Sequence, residues 1–395
     1  MDNSFLNEIK KEFETLEKNN AFRTLKKITS PCSSHITINN KKTLNFCSNN
    51  YLGFTTNPDV IDYSIKILKE YGTGAGASRL IAGNLSPHFV LEQKLAEFLG
   101  TEDTLVFSSG YQANIGVITA LAGHNDALFC DRLCHASIID GAMLSKAKLF
   151  RYPHKDCQTL KKLLDKHKNT YKHKIIITES VFSMDGDIAP LLELVKIAKK
   201  FNCLLIIDEA HAIGVIGENG RGVYELFGIK LDDSLLIIGT LGKALGSAGA
   251  FVACNQTLKN YFINKSRSFI FTTAPTPVSM ATAIKSIELI KSSTESRKNL
   301  LDNAQKFRTE LKTLGFDCLE SETQIIPVII GDNKKTVLFS KLLLEKGIYI
   351  LGIRPPTVPL NTARLRISIM ATHTKDEIKE CINALKSIGK ELEII

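Results

Sequence analysis

The chain has 395 residues, of which 44% are hydrophobic, and its formal net charge is +9. This length is sufficient for a sizeable core and suggests two or three domains, whereas no apolar run reaches the length of a membrane span. The lysines are scattered, which favours a solvated basic surface over a nucleic-acid-binding patch. The nine cysteines form no C-x-x-C pair, so we expect reduced thiols in a cytoplasmic protein and no metal site.

The first predicted element is an amphipathic helix over residues 4–20. Its apolar side chains share one helical stripe, which consists of Leu6, Ile9, Phe13 and Leu16. This pattern indicates an arm that docks on the body of the protein or on a partner subunit. Arg23 follows the arm, and by itself it is interpreted as a surface cation. A glycine-rich loop at residues 72–79 either approaches a substrate closely or is simply flexible.

Alternating strands and helices between residues 104 and 243 predict a doubly wound, mainly parallel sheet. The strands are short apolar runs that stop at polar residues, as is typical of strands buried on both faces. They are predicted at residues 104–107, 127–130, 174–179, 203–208 and 235–240, with one more at 249–254. Helices are predicted at residues 87–100 and 112–121, and another begins near Pro190.

Polar residues follow several of these strands, at the edge where open α/β sheets bind ligands. Lys243 lies next to Gly242 after one strand, and Asp208 ends the neighbouring strand. A buried lysine can form a Schiff base and an acid can hold a cationic ring nitrogen, a combination typical of pyridoxal phosphate (PLP) sites. The turn at residues 108–111 precedes a helix and is a candidate phosphate cradle. His135 lies just past another strand end.

A nucleotide hydrolase of the DEAH type is the alternative for residues 207–211. Such an enzyme needs a phosphate loop of the form G-x-x-x-x-G-K-[ST]. Here Ile237 occupies the position of the first glycine, and Ala244 follows Lys243. The sequence therefore favours the cofactor site over the hydrolase.

A second domain is predicted after Pro277. Residues 278–313 predict one long helix, and strands at 325–330, 348–353 and 364–370 then alternate with helices at 335–346 and 375–389. Thr374 and Glu377 form a capping box, and Arg364 and Arg366 share one strand face. We predict an N-terminal helical arm at 1–44, a large PLP-binding domain at 45–280 and a smaller α+β C-terminal domain at 281–395.

Five motifs make nearly the whole chain resemble the α-oxoamine synthases. These are residues 45–53, 131–137, 178–187, 208–211 and 240–243. The resemblance implies a PLP-dependent transferase of fold type I that condenses an amino acid with an acyl-CoA and releases CO2. Residues 353–366 most resemble members that join L-alanine to a pimeloyl thioester in biotin biosynthesis, whereas glycine C-acetyltransferase and 5-aminolevulinate synthase are less similar there. Asn50 departs from the family pattern, in which an acid is common.

The resemblance also implies roles for individual residues. Lys243 would bind the cofactor as a Schiff base and move the α-proton, Asp208 would pair with the ring nitrogen, and His135 would stack on the ring. With His211, these form the catalytic set. Ser183 and His211 would lie beside the phenolic oxygen of the ring. The phosphate would contact Gly110, Tyr111 and Thr240, and also Thr272 or Thr273 of a second subunit in a homodimer.

The substrate-binding residues implied by the resemblance form two groups. Arg366, with Asn49 and His135 nearby, would hold the carboxylate of the amino acid. The acyl substrate would contact Arg23, Thr357 and Arg354. Its carrier, coenzyme A or an acyl carrier protein, stays open, and no nucleic-acid or membrane partner is expected.

Overall fold

The computed structural model describes residues 4–395. In chain order the helices are α1 Ser4–Lys18, α2 Pro58–Tyr71, α3 Ser86–Leu99, α4 Gly110–Leu121, α5 Ala136–Ser145, α6 Cys157–Lys166, α7 Leu191–Phe201, α8 Val223–Leu226, α9 Gln256–Lys265, α10 Arg267–Ile270, α11 Pro277–Ser292, α12 Thr294–Thr313, α13 Asn333–Glu345 and α14 Lys375–Glu391. The strands are β1 His35–Ile38, β2 Lys41–Asn45, β3 Asp103–Phe107, β4 Ala127–Asp131, β5 Lys148–Tyr152, β6 Lys174–Glu179, β7 Leu204–Asp208, β8 Leu235–Thr240, β9 Ala250–Cys254, β10 Ile325–Gly331, β11 Ile348–Tyr349, β12 Leu351–Ile353 and β13 Ala363–Ser368.

The chain divides into two compact units. The larger unit contains residues 50–183 and 187–298, and the smaller one contains the chain up to Asn49, residues 184–186 and residues 299–395. The predicted domain boundary at residue 281 therefore falls inside α11, a helix of the larger unit. The reason is packing, because α11 lies against α2 and α3 and buries Met280, Ile284 and Ile287.

The larger unit is built on a seven-stranded sheet with the order β3-β9-β8-β7-β6-β4-β5. The pairs from β8 to β5 are parallel, whereas β9 runs antiparallel to both of its neighbours. This arrangement confirms the predicted doubly wound, mainly parallel sheet. The carboxyl ends of β4, β6, β7 and β8 lie at one edge, and the predicted cofactor residues follow these strands.

One hydrophobic cluster joins a face of this sheet to helices α4, α5, α9 and α10. The strands contribute residues such as Leu105, Ile206 and Ile238, and α4 contributes Val117 and Ile118, all of them fully buried. Because each fully buried side chain of this size contributes about 1.5–3 kcal/mol, the cluster fixes α4 firmly on the sheet. The N-terminus of α4, which begins the candidate phosphate cradle, is thereby held in place.

The smaller unit contains two three-stranded sheets, with the orders β1-β2-β11 and β10-β13-β12. Helix α14 begins with the predicted capping box of Thr374 and Glu377. The long helix predicted for residues 278–313 is wrong, because α11 ends at Ser292 and α12 begins at Thr294. Ser293 separates the two helices. It caps the C-terminus of α11 by donating its backbone N–H to the carbonyl of Ile290.

Helix α1 forms as predicted, but none of its residues is buried. Phe5 is 68% exposed and Phe13 is 48% exposed, and Phe13 contacts Phe22 edge-on with their ring centroids 5.9 Å apart. Ile9 and Leu16 of the stripe are half-buried, so docking on the body or on a partner subunit stays a prediction. No helix within residues 4–395 is both long and apolar enough to cross a membrane.

Candidate active site

The turn before α4 has the geometry of a phosphate cradle. The Ser109 side chain caps the helix by accepting a hydrogen bond from the Gln112 N–H at 3.2 Å. A Cβ on Gly110 would lie only 2.8 Å from Cγ2 of Thr240, so no larger residue fits at that position. The backbone N–H groups that begin this 12-residue helix are free of intrahelical partners and suit an anion. Gly110 and Thr240 are thus brought together as expected for a phosphate site.

Tyr111, the other residue predicted in this turn, points to a different neighbour. Its hydroxyl donates a hydrogen bond to Oδ2 of Asp140 at 2.5 Å, and its side chain is 46% exposed. This contact ties the Tyr111 side chain to α5.

Asp208 ends β7 as a buried carboxylate held by two neutral amides. Oδ2 accepts a hydrogen bond from Nδ2 of Asn114 at 2.9 Å, and Oδ1 accepts one from the Ala210 N–H at 2.9 Å. The residue is only 6% exposed. Neutral donors orient the carboxylate without neutralising it, so its charge remains available to a cationic ring nitrogen.

Asn114 was missed by the sequence reasoning. It lies in α4 one turn after Gly110, and its Nδ2 also donates to Oγ of Ser137 at 3.0 Å. The signal in the sequence was a polar residue on the apolar face of a predicted helix, four positions after Gly110.

His135 begins α5 and is tied down through its backbone and its ring. Its N–H donates to Oε1 of Glu179 at 2.5 Å, and its Nδ1 lies 2.8 Å from Oγ of Ser137. Burial and the nearby charge of Lys243 lower the pKa of His135, although Asp208 acts in the opposite direction. A neutral imidazole is therefore favoured, and because the side chain remains exposed it can lie against an aromatic ring.

His211 is held by Tyr51, which is a second residue that the sequence did not reveal. The Tyr51 hydroxyl and Nδ1 of His211 are 2.7 Å apart, and both residues are buried. Ser183 lies in the turn after β6, where its N–H donates to Oε2 of Glu179 at 3.3 Å. Lys243 follows β8 as a half-buried residue whose charge acts on His135 and Glu179.

Thr272 and Thr273 lie beside the phosphate turn within the same chain. Oγ of Ser108 donates to the Thr273 carbonyl at 3.4 Å. The two threonines line a hydroxyl-rich cavity of about 560 Å³ together with Ser108, Ser247, Thr276, Ser279 and Thr282. The segment is therefore adjacent to the cradle of its own subunit.

Two predicted substrate residues of the smaller unit are in contact with each other. Nη1 and Nη2 of Arg366 each lie 3.2 Å from Oδ1 of Asn49, and Nη1 also donates to Oγ of Ser368 at 2.9 Å. Arg364, two positions earlier, instead forms an ion pair with Asp185 at 2.5 Å. Arg366 thus lies against Asn49 and Ser368, whereas Arg364 lies against the acidic Asp185.

The remaining substrate candidates of the smaller unit surround a second cavity of about 520 Å³. Nη2 of Arg23 donates to Oγ1 of Thr357 at 3.1 Å, and Nη1 of Arg354 donates to the Asn20 carbonyl at 2.6 Å. Burial and the adjacent Arg23 lower the pKa of Arg354. The cavity wall also includes Phe22, Leu25, Val337, Leu344, Leu351 and Ile353. It therefore combines apolar walls with two neighbouring guanidinium groups.

Comparison with known proteins places these features in context. Residues 41–385 match the family of class I and II aminotransferases. The 8-amino-7-oxononanoate synthase of Citrifermentans bemidjiense is 46% identical over 97% of this chain and 98% of its own, and that of Geotalea daltonii is 44% identical with the same coverage. A serine palmitoyltransferase structure from S. paucimobilis with bound PLP and myriocin superposes with a TM-score of 0.92, at 33% identity over 99% of both chains. An 8-amino-7-oxononanoate synthase structure from Francisella tularensis gives a TM-score of 0.76, at 29% identity over 89% of this chain and 99% of the other.

Proposed function

The chain belongs to the class I and II aminotransferase family, within its 8-amino-7-oxononanoate synthases, and we propose that it joins L-alanine to a pimeloyl thioester. The products are 8-amino-7-oxononanoate, CO2 and the free thiol, as in biotin biosynthesis. The chain is a PLP-dependent acyltransferase. The observation that carries the proposal is the buried Asp208 carboxylate, oriented by neutral amides at the strand edge where Lys243 and the Gly110 cradle also lie. The nucleotide-hydrolase alternative is set aside by family membership.

The larger unit fits PLP. The N–H groups beginning α4 suit its phosphate, and Asp208 would hold the proton on its ring nitrogen. When bound, PLP supplies an electron sink for the negative charge that develops at the α-carbon of the amino acid. Lys243 would attach the cofactor through Nζ and carry a proton to and from that carbon. His135, kept neutral, would pack against the ring, and Ser183 and His211 would lie at its phenolic oxygen.

Arg366 is the proposed anchor for the alanine carboxylate. Its guanidinium lies beside Asn49 and Ser368, and a guanidinium can bind a carboxylate by two parallel hydrogen bonds. Asn49 orients the guanidinium through Oδ1. Arg364 does not qualify, because Asp185 already neutralises it.

The cavity around Arg23 and Arg354 is the proposed site for the acyl chain. A pimeloyl group is apolar in its middle and anionic at its far end. The cavity offers apolar walls and two guanidinium groups whose described acceptors are uncharged, the Thr357 hydroxyl and the Asn20 carbonyl. The repulsion between the two cations would be relieved by a bound carboxylate. Coenzyme A and an acyl carrier protein both present the acyl group on a phosphopantetheine arm, so either donor is compatible.

We further infer a homodimer located in the cytoplasm. Helix α1 has an apolar stripe without a buried residue, which suits contact with a second copy. Thr272 or Thr273 would then reach the phosphate that is bound in the second subunit. All nine cysteines are free thiols, which is consistent with a reducing compartment.

The test is a panel of amino acids against acyl thioesters, scored by product mass. We expect the highest kcat/KM with L-alanine and pimeloyl-CoA or pimeloyl acyl carrier protein. Higher activity with glycine and acetyl-CoA would replace this function with that of a glycine C-acetyltransferase.

A further inference from the structure

Two irregular turns of the larger unit carry proposed cofactor residues. The first turn, residues 131–135, leads from β4 to His135, and the second turn, residues 180–183, leads from β6 to Ser183. Strands β4 and β6 are parallel neighbours, so both turns leave the sheet at the same edge. Each turn has backbone hydrogen bonds of its own, since the Cys134 N–H donates to the Asp131 carbonyl at 3.2 Å and Val181 forms a single bridge with Ile188. These bonds do not connect the two turns to each other, so the spacing between the turns is set by other contacts.

Glu179, the last residue of β6, contacts both turns with one carboxyl group. Oε1 accepts the His135 N–H at 2.5 Å, and Oε2 accepts the Ser183 N–H at 3.3 Å. The side chain is 3% exposed and lies in register with Asp208 of β7. Glu179 thus connects the two turns from inside the protein.

A second connection joins the same two turns on their outer side. Nδ1 of His154 lies 3.0 Å from Oδ1 of Asp131, and Nε2 lies 2.9 Å from Oδ2 of Asp187. Asp131 begins the first turn and accepts the Leu133 N–H at 2.8 Å. The carbonyl of Asp187 accepts the Phe182 N–H of the second turn at 3.1 Å. The two turns are therefore linked twice.

We propose that Glu179 is a positioning residue that fixes the His135 turn and the Ser183 turn relative to each other and thereby sets the affinity for PLP. The inference rests on the proposed function, because it concerns the same cofactor site. Glu179 acts through backbone N–H groups and is itself not a catalytic residue. A carboxylate suits this role because each of its oxygens accepts one N–H.

The charge of Glu179 depends on its surroundings. Burial and the neighbouring Asp208 raise its pKa to about 8, whereas Lys243 and the two backbone N–H groups lower it. Burial and Asp208 outweigh the backbone donors and the nearby ammonium, so the carboxylate that accepts both N–H groups becomes the main form above about pH 8.

The variant Glu179→Gln tests this role. Its amide has a single acceptor oxygen, and the NH2 group would face the other backbone N–H, so one of the two links is lost. At about pH 9, where Glu179 is ionised, we expect PLP to dissociate about tenfold faster from the full-length holoenzyme of the variant. The visible absorbance of the bound cofactor measures its release. Hydrogen exchange should also accelerate at the amides of His135 and Ser183.

Glu225→Gln is the matched control. Oε2 of Glu225 likewise accepts two backbone N–H groups, those of Asn219 and Arg221, both at 3.0 Å, so it holds a different loop. We expect this variant to lower the melting temperature while PLP dissociation stays within about twofold of wild type.

Three results would overturn the inference. The first is equal acceleration of PLP release in both variants, which would indicate general loosening of the structure. The second is an unchanged rate of PLP release in Glu179→Gln. If Glu179→Gln does not fold, Glu179→Asp replaces it, because aspartate retains both oxygens on a shorter side chain; the third result is then a normal rate of PLP release from Glu179→Asp. Failure of the proposed function is distinguishable, because the substrate panel tests that function on the wild-type protein, whereas the role of Glu179 is tested by comparing PLP release between variants.

Discussion

At the scale of single residues, the hydrogen bonds of Asp208 orient a buried carboxylate for a cationic ligand. Its described donors are amides, so substitution by asparagine keeps the shape while it removes the charge. We expect Asp208→Asn to fold, with a melting temperature close to wild type, but to lose about a hundredfold or more in kcat, since a neutral side chain cannot stabilise a protonated ring nitrogen. Near-normal turnover of the purified, PLP-loaded variant would show that Asp208 has another role.

Arg23 and Arg366 are expected to serve different substrates. Loss of a charge-assisted hydrogen bond costs about 1.5–3 kcal/mol, which is about ten- to a hundredfold in kcat/KM. Arg23→Ala should therefore raise the KM of the pimeloyl thioester and preserve the spectral change induced by alanine. Arg366→Ala should abolish that spectral change and affect the acyl KM less.

The two arginine variants control for each other. Steady-state KM values and an alanine titration of the holoenzyme measure both effects. Equal loss of alanine binding in the two variants would refute the division of roles between the two arginines.

The residues that sequence reasoning identified differ in kind from those it missed. Lys243 and Asp208 directly follow apolar strands, so their position at the sheet edge can be read from the chain. Tyr51 and His211 are 160 residues apart, and Glu179 and His135 are 44 apart. Such pairings depend on which strands become neighbours, and hydrophobic periodicity does not specify that order.

At the scale of elements, the turn after β5 contains a histidine between two carboxylates. Burial alone would lower its pKa, but hydrogen bonds to Asp131 and Asp187 raise the pKa of His154 to about 9. Lys155 also lies 3.0 Å from Asp187, and the ring of Phe182 packs edge-on against His154. The protonated form donates from both ring nitrogens, and deprotonation would turn one nitrogen into an acceptor facing a carboxylate.

This geometry predicts a pH dependence of stability. The folded-state pKa lies above the unfolded value of about 6.5, so the stabilisation is complete below pH 6.5 and is lost as the pH rises through about 9. The free energy of unfolding should fall by about 2–3 kcal/mol across this window, with some reduction because the side chain is 25% exposed. Urea unfolding at several pH values measures this change.

His154→Gln provides the control for that measurement. The amide cannot titrate, so the variant should be less stable at pH 6.5 but should lack the decrease between pH 6.5 and 9. An identical slope in wild type and variant would assign the pH dependence to other groups.

Some elements were predicted more accurately than others for physical reasons. The buried strands β6, β7 and β8 are long apolar runs, and their bounds agree with prediction to within one residue. Strand β5 was not predicted, because it lies at the edge of the sheet and has only Tyr152 fully buried, so it lacks the apolar signal. The antiparallel direction of β9 was also not foreseen, since burial on both faces gives the same pattern in either direction.

At the scale of the whole molecule, the boundaries of the two units could not be predicted from the sequence. Residues 184–186 belong to the smaller unit although the chain on both sides of them belongs to the larger one. Within the smaller unit, Gly186 accepts hydrogen bonds from the Thr323 hydroxyl at 2.9 Å and from the Glu322 N–H at 3.0 Å. A three-residue excursion of this kind has no compositional signature.

The proposed homodimer needs an exposed apolar surface on each chain, and helix α1 provides one. The apolar stripe of α1 is exposed, with Leu6 at 47% and Phe13 at 48%, and burying it against a second copy would supply association energy at about 25 cal/mol per Å². We expect the double variant Leu6→Asp, Phe13→Asp to weaken the homodimer by about tenfold or more, because each aspartate would have to be desolvated in the interface. Sedimentation equilibrium of the full-length holoenzyme measures the dissociation constant of the dimer.

The matched control is the double variant Lys11→Asp, Lys18→Asp. It also introduces two aspartates into α1, but on the opposite, polar face of the helix, and it should leave the dimer intact. A monomeric wild type, or equal dissociation of both double variants, would show that α1 does not form the subunit interface.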